Sequence, residues 1–528
     1  MQNYFIVFLL IIHIGITCEN SFCQITFQKR YGQIGADDFS GLLQTADSGY
    51  LICGSFQYSF SYYPDLYLVK TNANGDTLWT RAFGGNESEY GNSIIETGDG
   101  NYLLAGTTKS FGAIYNDIYL IKFNPSGDTL WSKIYGGTYN DGPGSMINTA
   151  DGGFIISGNT MSYGEGNDTY LLKLNSDGDV EWSKTYGRST EGNIGTCIRQ
   201  TIDNGYIIVG AQSYCTGPAE DIILIKTDSM GDTLWTRCFG GTNTDIGSSI
   251  LQVSDGGFII SGYTRSFGAG KFDACLIKTN SNGVPIWTKT FGGTEDDYGN
   301  SVYETSDGGY VIGGMTNSFS ANFSAANIFL VKTDINGNLL WVNSYGSSND
   351  DRGGFVQQSK EGGYIITGSE YDPILYYDAY LIKTDSNGNS DCNQTACTPI
   401  TTTPTLILSS FSPKISSGDS SSRPATQLRS GSIINAICSN VGVNELQNKI
   451  EIKVFPNPAK EEINIYIEGE ENKTYLARVY NPTGIKITEQ RFTKQTKIST
   501  SGFSKGIYHV QVCGSDNKSC HTEDIVIQ

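Results

Sequence analysis

The sequence predicts an all-β fold: a seven-bladed β-propeller with 1+3 strand closure, followed by a small C-terminal β-sandwich. Three observations predict it. A pattern about 52 residues long recurs through the first three quarters of the chain, and a period in this range marks a repeat architecture. Each period holds four strand-like runs. The first and last copies are incomplete in complementary ways.

All six tryptophans, Trp79, Trp131, Trp182, Trp235, Trp287 and Trp341, hold one slot of the period, and Phe27 fills it one step earlier. In the second copy the first run is Asn92 to Thr97, and Asp99-Gly100-Asn101 makes a turn. Tyr102 to Gly106 is the second run, and Asp117 to Lys122 the third. Ser126-Gly127-Asp128 turns the chain into Thr129 to Tyr135, the fourth. The turns are rich in Asp, Asn and Gly because tight hairpins need positive φ and side chains that bond their own backbone. The second and third runs are nearly unbroken apolar stretches of Val, Ile, Tyr and Phe, as in strands buried on both faces. A four-stranded sheet with two apolar faces needs neighbours on both sides, which a ring supplies.

The count of seven comes from the turn acids Asp47, Asp99, Asp151, Asp203, Asp255, Asp307 and Glu361. It comes again from Lys70, Lys122, Lys173, Lys226, Lys278, Lys332 and Lys383 at the end of each third run. Residues 25–31 supply only a Trp-type strand, and the last copy stops at Lys383 without one. The N-terminal strand is therefore expected to complete the last blade.

The expected organisation is a signal peptide over 1–23, the propeller over 24–390, a linker over 391–441 and a C-terminal domain over 442–528. The apolar run Ile6 to Ile16 is too short to span a bilayer and suits a secretory signal, with cleavage before Gln24. Cys18 is the alternative, as a lipidation site, though Gly-Ile-Thr before it makes a poor lipobox. No later segment is long and apolar enough for a membrane helix. The linker is rich in Thr, Ser and Pro and reads as extended and poorly packed. Cys53, Cys197, Cys238 and Cys275 read as small buried strand residues. Cys513 and Cys520 bracket a hairpin and suit a disulfide, which export permits. Pairing among Cys392, Cys397 and Cys438 stays open.

The net charge of −19 disfavours nucleic acid and anionic lipid as partners. The three histidines are His13, His509 and His521, so the repeats carry none. That excludes Ser-His-Asp and Cys-His catalysis there, along with His-rich zinc sites. Carboxylates remain. Asp37, Glu89, Asp141, Asp245, Asp297 and Asp351 stand ten residues after the Trp slot, with Glu191 displaced by one. They are expected at one mouth of the channel, either as a cation site or acid pair, or as a repeated hydrogen-bonding device. No cofactor is expected beyond calcium, which suits oxygen-only ligands. Its candidate ligands are the densest acids, Asp296 and Asp297 with Asp350 and Asp351. The connections between second and third runs carry aromatics that vary from copy to copy. Tyr62, Tyr63, Tyr371, Tyr376 and Tyr377, from the first and last blades, form the candidate ligand-binding patch.

The repeat, over residues 25–383, resembles the Asp-Gly-Gly-Tyr-type propeller repeats of secreted bacterial proteins and is broadly kelch-like in size. That resemblance implies the fold and brings no catalytic residues. In the C-terminal segment, Val454-Phe-Pro-Asn-Pro458, Tyr480-Asn-Pro-Thr-Gly484 and Gly506-Ile-Tyr508 follow in order. This set looks like the C-terminal sorting domain of the bacterial type IX secretion system. The last strand, Glu523 to Gln528, lacks the Lys or Arg that family usually places near its end. The resemblance implies a small β-sandwich that engages the secretion machinery through 442–528, and a secreted or outer-surface destination. The expected function is a binding module for a protein or glycan, performing no chemistry. The alternatives are a carboxylate-dependent enzyme acting on polysaccharide at the channel mouth, and a passive structural surface protein.

Overall fold

The computed structural model describes residues 24–32, 36–57, 63–112, 114–187, 192–320, 325–373, 376–390, 394–409, 414–416, 428–429, 433–440, 451–455, 459–468, 474–481, 486–514 and 520–527. The expected signal peptide lies outside them. Every regular element described is a β-strand, and among the described residues no helix is long and apolar enough to cross a membrane. The chain divides into two compact units, residues 1–440 and 441–528.

The first unit is built from antiparallel four-strand motifs. Sheet 1 pairs Asp38–Gln44, Tyr50–Phe56, Asp65–Thr71 and Thr77–Phe83 in chain order. The motif repeats as sheet 2 (89–135), sheet 3 (141–187), sheet 4 (193–240), sheet 5 (245–292) and sheet 6 (297–345). Sheet 7 takes three strands from 351–383 and its fourth, Thr26–Gly32, from the other end of the chain. Phe27 stands opposite Lys383 and Tyr31 opposite Ala379.

Second and third strands are buried along their length, as their apolar runs require; Asp168–Leu174 is buried at every position. The core is divided among pairs of consecutive sheets. Leu51, Leu68 and Phe83 of sheet 1 pack with Leu104 and Ile121 of sheet 2. Phe27, Ile365 and Leu381 of sheet 7 pack with Tyr50, Ile52 and Val69 of sheet 1.

The Trp slot explains itself in this geometry. Each turn between third and fourth strands carries a glycine at positive φ, such as Gly337 at 74°. A Cβ on Gly337 would lie 2.7 Å from Trp287 of the preceding sheet. Gly127 meets Trp79, Gly178 meets Trp131, Gly231 meets Trp182, Gly283 meets Trp235 and Gly388 meets Trp341 in the same way. Gly75 of sheet 1 meets Phe27 of sheet 7. The indole therefore serves contact between sheets.

The turn acids and the third-strand lysines form one device. Lys332, 3% exposed, reaches Asp307 at 3.0 Å, and Lys70, Lys122, Lys173, Lys226 and Lys278 reach their own sheet's turn Asp at 2.7 to 2.9 Å. Lys383 lies 3.5 Å from Glu361. Each pair ties the first hairpin of a sheet to its third strand.

Two expectations need correction. Cys238 is bonded to Cys215, which follows Ser213-Tyr214 on the connection between second and third strands of sheet 4. Cys53, Cys197 and Cys275 are free and buried as expected. The described residues within 391–441 are extended but far from unpaired. Gln394–Ala396, Ile400–Thr402, Ile407–Ser409 and Lys414–Ser416 add to the outer strands of sheets 6, 5, 4 and 3. Leu428–Arg429 and Ile433–Asn440 add to sheets 1 and 7. Backbone groups at a strand edge accept any extended partner, so a Thr/Ser-rich stretch can pair without an apolar pattern.

In the second unit, Glu451–Phe455, Glu462–Glu468 and Gln495–Ser499 form one antiparallel sheet. Tyr475–Tyr480, Lys486–Phe492, Gly506–Gly514 and Cys520–Ile527 form another. Both contribute to one core containing Ile463, Ile465, Ala477, Val479 and Val510. On Gly506–Gly514 the residues of this core are Tyr508, Val510 and Val512. Cys513 stands opposite Cys520 in the register; the expected bridge depends on side chains outside the description.

Candidate functional site

The repeated carboxylates are not a solvent-lined ring. Asp37, Glu89, Asp141, Asp245, Asp297 and Asp351 are all buried. Each sits at a junction of three segments. Asp141 accepts hydrogen bonds from Gly137 N at 2.8 Å, Ser162 Oγ at 2.6 Å and Thr160 Oγ1. Asp245 and Asp297 repeat the set with Gly241, Ser266 and Thr264, and with Gly293, Ser318 and Thr316. The dipeptides Ser162-Tyr163, Ser266-Phe267 and Ser318-Phe319 recur at this place in the repeat, and in each the serine hydroxyl donates to the acid. The backbone N–H groups of Asp37, Glu89, Asp141, Asp297 and Asp351 donate to the preceding sheet, as Asp141 does to Asn116 O and Asp297 to Phe272 O, both at 2.7 Å. Asp37 donates to Tyr377 O at 2.7 Å, linking sheet 1 to sheet 7. In sheet 4 the position belongs to Asn193; Glu191 lies outside the described residues.

The four candidate calcium ligands stand in two separate places, and each has protein donors. Asp296 accepts from Phe272 N at 3.2 Å. Asp350 accepts from Ala326 N at 2.9 Å, and Asp351 from Ser347 N at 2.6 Å. Among the described residues, no group of three or more His, Cys, Asp or Glu stands where it could hold a metal ion.

Sheet 7 departs from the repeat. Its second and third strands, Tyr364–Asp372 and Tyr376–Lys383, continue past the usual end and keep pairing through Tyr371 with Tyr377 and Asp372 with Tyr376. The Tyr371 and Tyr377 rings lie 5.1 Å apart in an edge arrangement. Tyr377 OH donates to Asp350 Oδ2 at 2.6 Å. Burial and that carboxylate push the Tyr377 phenol up to about 12. The Arg352 guanidinium lies 5.5 Å from the Tyr377 ring centre and 2.6 Å from Asp350. Burial alone would raise Asp350, but the Tyr377 hydroxyl, Ala326 N–H and Arg352 hold it below the usual carboxylate range. Tyr376 is 56% exposed with φ of 70°, a left-handed conformation that a bulky residue adopts only when its surroundings impose it. Tyr63, 43% exposed, lies on the equivalent connection of sheet 1; Tyr62 lies outside the described residues.

Beneath the hairpin the chemistry changes too. Sheets 2, 3, 5 and 6 place Thr108, Thr160, Thr264 and Thr316 opposite the junction acid. Sheet 7 places Glu370 opposite Asp351, and Asp378 opposite Glu370. Arg30 of the N-terminal strand spans Glu370 at 3.4 Å and Asp372 at 3.2 Å. Burial, and then Glu370, push Asp351 up to about 7. Burial, and then Asp372, hold Asp378 at about 6 despite Arg30. Glu370, Arg30 and Arg352 were missed in the sequence. The Thr-to-Glu change in the last copy was the visible signal.

A pH dependence follows. Asp351 and Asp378, with Asp273 raised to about 7 by burial and then by Asp297, hold protons more tightly folded than unfolded. Between about pH 4 and 7 the folded chain therefore binds more protons, and stability falls as pH rises. Asp151 and Asp307 run the other way: partial burial would raise them, but hydroxyl, lysine and backbone donors lower them to about 2. Their contribution is lost only as pH drops below about 4. The melting temperature is expected to be higher at pH 5 than at pH 8, and lower again at pH 3. A profile flat or rising from pH 5 to 8 would contradict this.

Comparison with known proteins fits the two units. Residues 453–528 match a family described as a secretion system C-terminal sorting domain. Residues 149–181 match one described as a domain of unknown function (DUF5122) beta-propeller. The chain is a β-propeller protein sorted by type IX secretion, and it is exported to the cell surface or secreted. No curated protein matches it. A solved structure similar to it is that of PorZ from Porphyromonas gingivalis, described as an essential bacterial surface component of the type-IX secretion system. The two are 9% identical with a TM-score of 0.27, over 93% of this chain and 81% of that one. A likeness at that level carries no argument about this chain.

Proposed function

We propose that the chain is an exported binding module, a closed seven-bladed propeller that presents the sheet 7 hairpin to a protein or glycan ligand. The closed ring is supported by the contact between Phe27 and Gly75, which repeats every other Trp–Gly contact, and by Asp37 N donating to Tyr377 O. The reading keeps the signal peptide at 1–23, the propeller at 24–390 and the sorting domain, a β-sandwich, at 442–528. The secretion machinery is the partner of 442–528.

The observation that carries the binding reading is the break in symmetry at sheet 7. Sheets 2, 3, 5 and 6 keep a Thr opposite the junction acid, whereas sheet 7 places Glu370 there and extends a hairpin bearing Tyr371, Tyr376 and Tyr377 beside Arg352 and Asp350. Clustered aromatics with an arginine are the composition of recognition hot spots. The carboxylate enzyme draws support from Asp351 and Glu370, two buried acids with raised affinity for protons.

One experiment separates the readings. Immobilised full-length protein is offered a glycan array and a surface-protein extract, alongside Tyr376→Ala and Tyr377→Ala. A captured ligand lost about tenfold or more in both variants, about 1.4 kcal/mol, supports the binding module. Capture unchanged in both variants overturns the patch. Sugar release abolished by Glu370→Gln favours the enzyme.

A further inference from the structure

We propose that the strands between Gln394 and Asn440 form a belt donated to the outer edges of the sheets. The edges it covers are the surface through which this chain would otherwise pair with a second copy of itself.

The register carries the argument. Each belt strand meets its sheet at the same place, opposite the aromatic residue that ends the outer strand. Gln394 faces Tyr345, Thr401 faces Phe291, Leu408 faces Phe239 and Ile415 faces Tyr186. Leu428 faces Phe83 and Ile434 faces Tyr31. The first three steps, 394 to 401 to 408 to 415, are seven residues each. The next, 415 to 428, is thirteen and passes sheet 2; the last, 428 to 434, is six. A constant step is what a chain needs to move between identical edges a fixed distance apart. Seven extended residues reach about 23–25 Å. The belt visits the sheets in the reverse of their order in the chain. A loose linker would show neither a fixed register nor a fixed step.

The grip is mostly backbone. Ile400 is 51% exposed and Leu408 is 41% exposed. Cys397 N donates to Val342 O at 2.9 Å, Thr290 and Thr402 share a 2.6 Å hydroxyl contact, and Ser409 Oγ donates to Cys215 O at 3.2 Å. Backbone pairing with few buried side chains is the kind of contact that opens locally.

The rest of each outer strand, beyond the two or three residues the belt pairs with, points to the partner. An uncovered edge strand offers free N–H and C=O groups to any other strand. These outer strands add Leu78, Leu130, Leu234, Ile286 and Leu340, each 51 to 59% exposed. All share the pattern of an aliphatic residue, Trp, three residues and an aromatic, so two copies would present like edges to each other, the condition for an isologous contact.

The test uses the full-length chain with adjacent prolines in three belt strands: Thr395→Pro with Ala396→Pro, Ile400→Pro with Thr401→Pro, and Ile407→Pro with Leu408→Pro. Two neighbouring prolines remove whichever N–H pairs. The control places Thr403→Pro and Thr405→Pro between strands. Tryptophan fluorescence reports the sheets, which hold all six tryptophans. With that signal native, light scattering is expected to show a mass at least double that of the unaltered chain, rising with concentration. The control keeps the unaltered mass. Excess synthetic peptide spanning 394–409 is expected to return the mass to that of the unaltered chain. A belt variant with the unaltered mass at every concentration overturns the proposal, as does association that the peptide does not reverse.

Discussion

Phe27→Ala is expected to cost about 3–5 kcal/mol of unfolding free energy, the range for emptying a buried aromatic site. The ring is fully buried, 6.3 Å from Tyr50, and rests on the turn that contains Gly75. It belongs to a strand that completes sheet 7 from the far end of the chain, opposite Lys383. The loss therefore falls on the one sheet whose strands are not consecutive. Chemical denaturation should show the midpoint fall, and limited proteolysis should release the N-terminal strand before any other segment. A loss below about 1 kcal/mol would mean that this strand is not what completes the sheet.

The second large effect is expected at Asp297. Its carboxylate accepts hydrogen bonds from Gly293 N at 2.7 Å, Ser318 Oγ at 2.7 Å and Thr316 Oγ1. Asp297→Ala strands these donors in the interior at about 1–3 kcal/mol each, less what the carboxyl itself gives up by being buried. A net loss of about 3–5 kcal/mol is expected. Asp297→Asn keeps one acceptor oxygen and should lose about 1–2 kcal/mol. Neither the unaltered chain nor either variant should change its melting temperature with added calcium or chelator. A calcium-dependent melting temperature that vanishes in Asp297→Asn would restore the metal reading for this residue.

Much of the architecture was legible because the repeat forces the same side chain into the same contact each time. Trp79 through Trp341 mark one interface because each covers a turn glycine of the next sheet. The turn acids and third-strand lysines could be counted because they pair with each other. The junction acids were legible as a series, but their surroundings were not. Thr160 and Ser162 follow Asp141 by 19 and 21 residues, and only the sheet brings them to it. The Cys215–Cys238 bond escaped for a related reason, since Cys215 lies on an irregular connection with no counterpart in other copies. The belt was illegible because backbone pairing leaves no trace in residue type.

The candidate site was visible only as an irregularity. Tyr371, Tyr376 and Tyr377 stood out because the last copy breaks the Ser-Phe/Tyr rule. Tyr371 and Tyr377 are neighbours across the hairpin, whereas Tyr63 sits on another sheet. Asp350 was read as a candidate calcium ligand and Arg352 was passed over, because only the folded hairpin brings both to Tyr377.

The pairing of Phe27 with Lys383 sets the timing of maturation. One edge of this β-structure is spun out first and its seat is spun out hundreds of residues later, so no unfinished chain, threaded through a pore from either end, can lock. During transit the leading portion has to remain soluble with a vacancy in its stack.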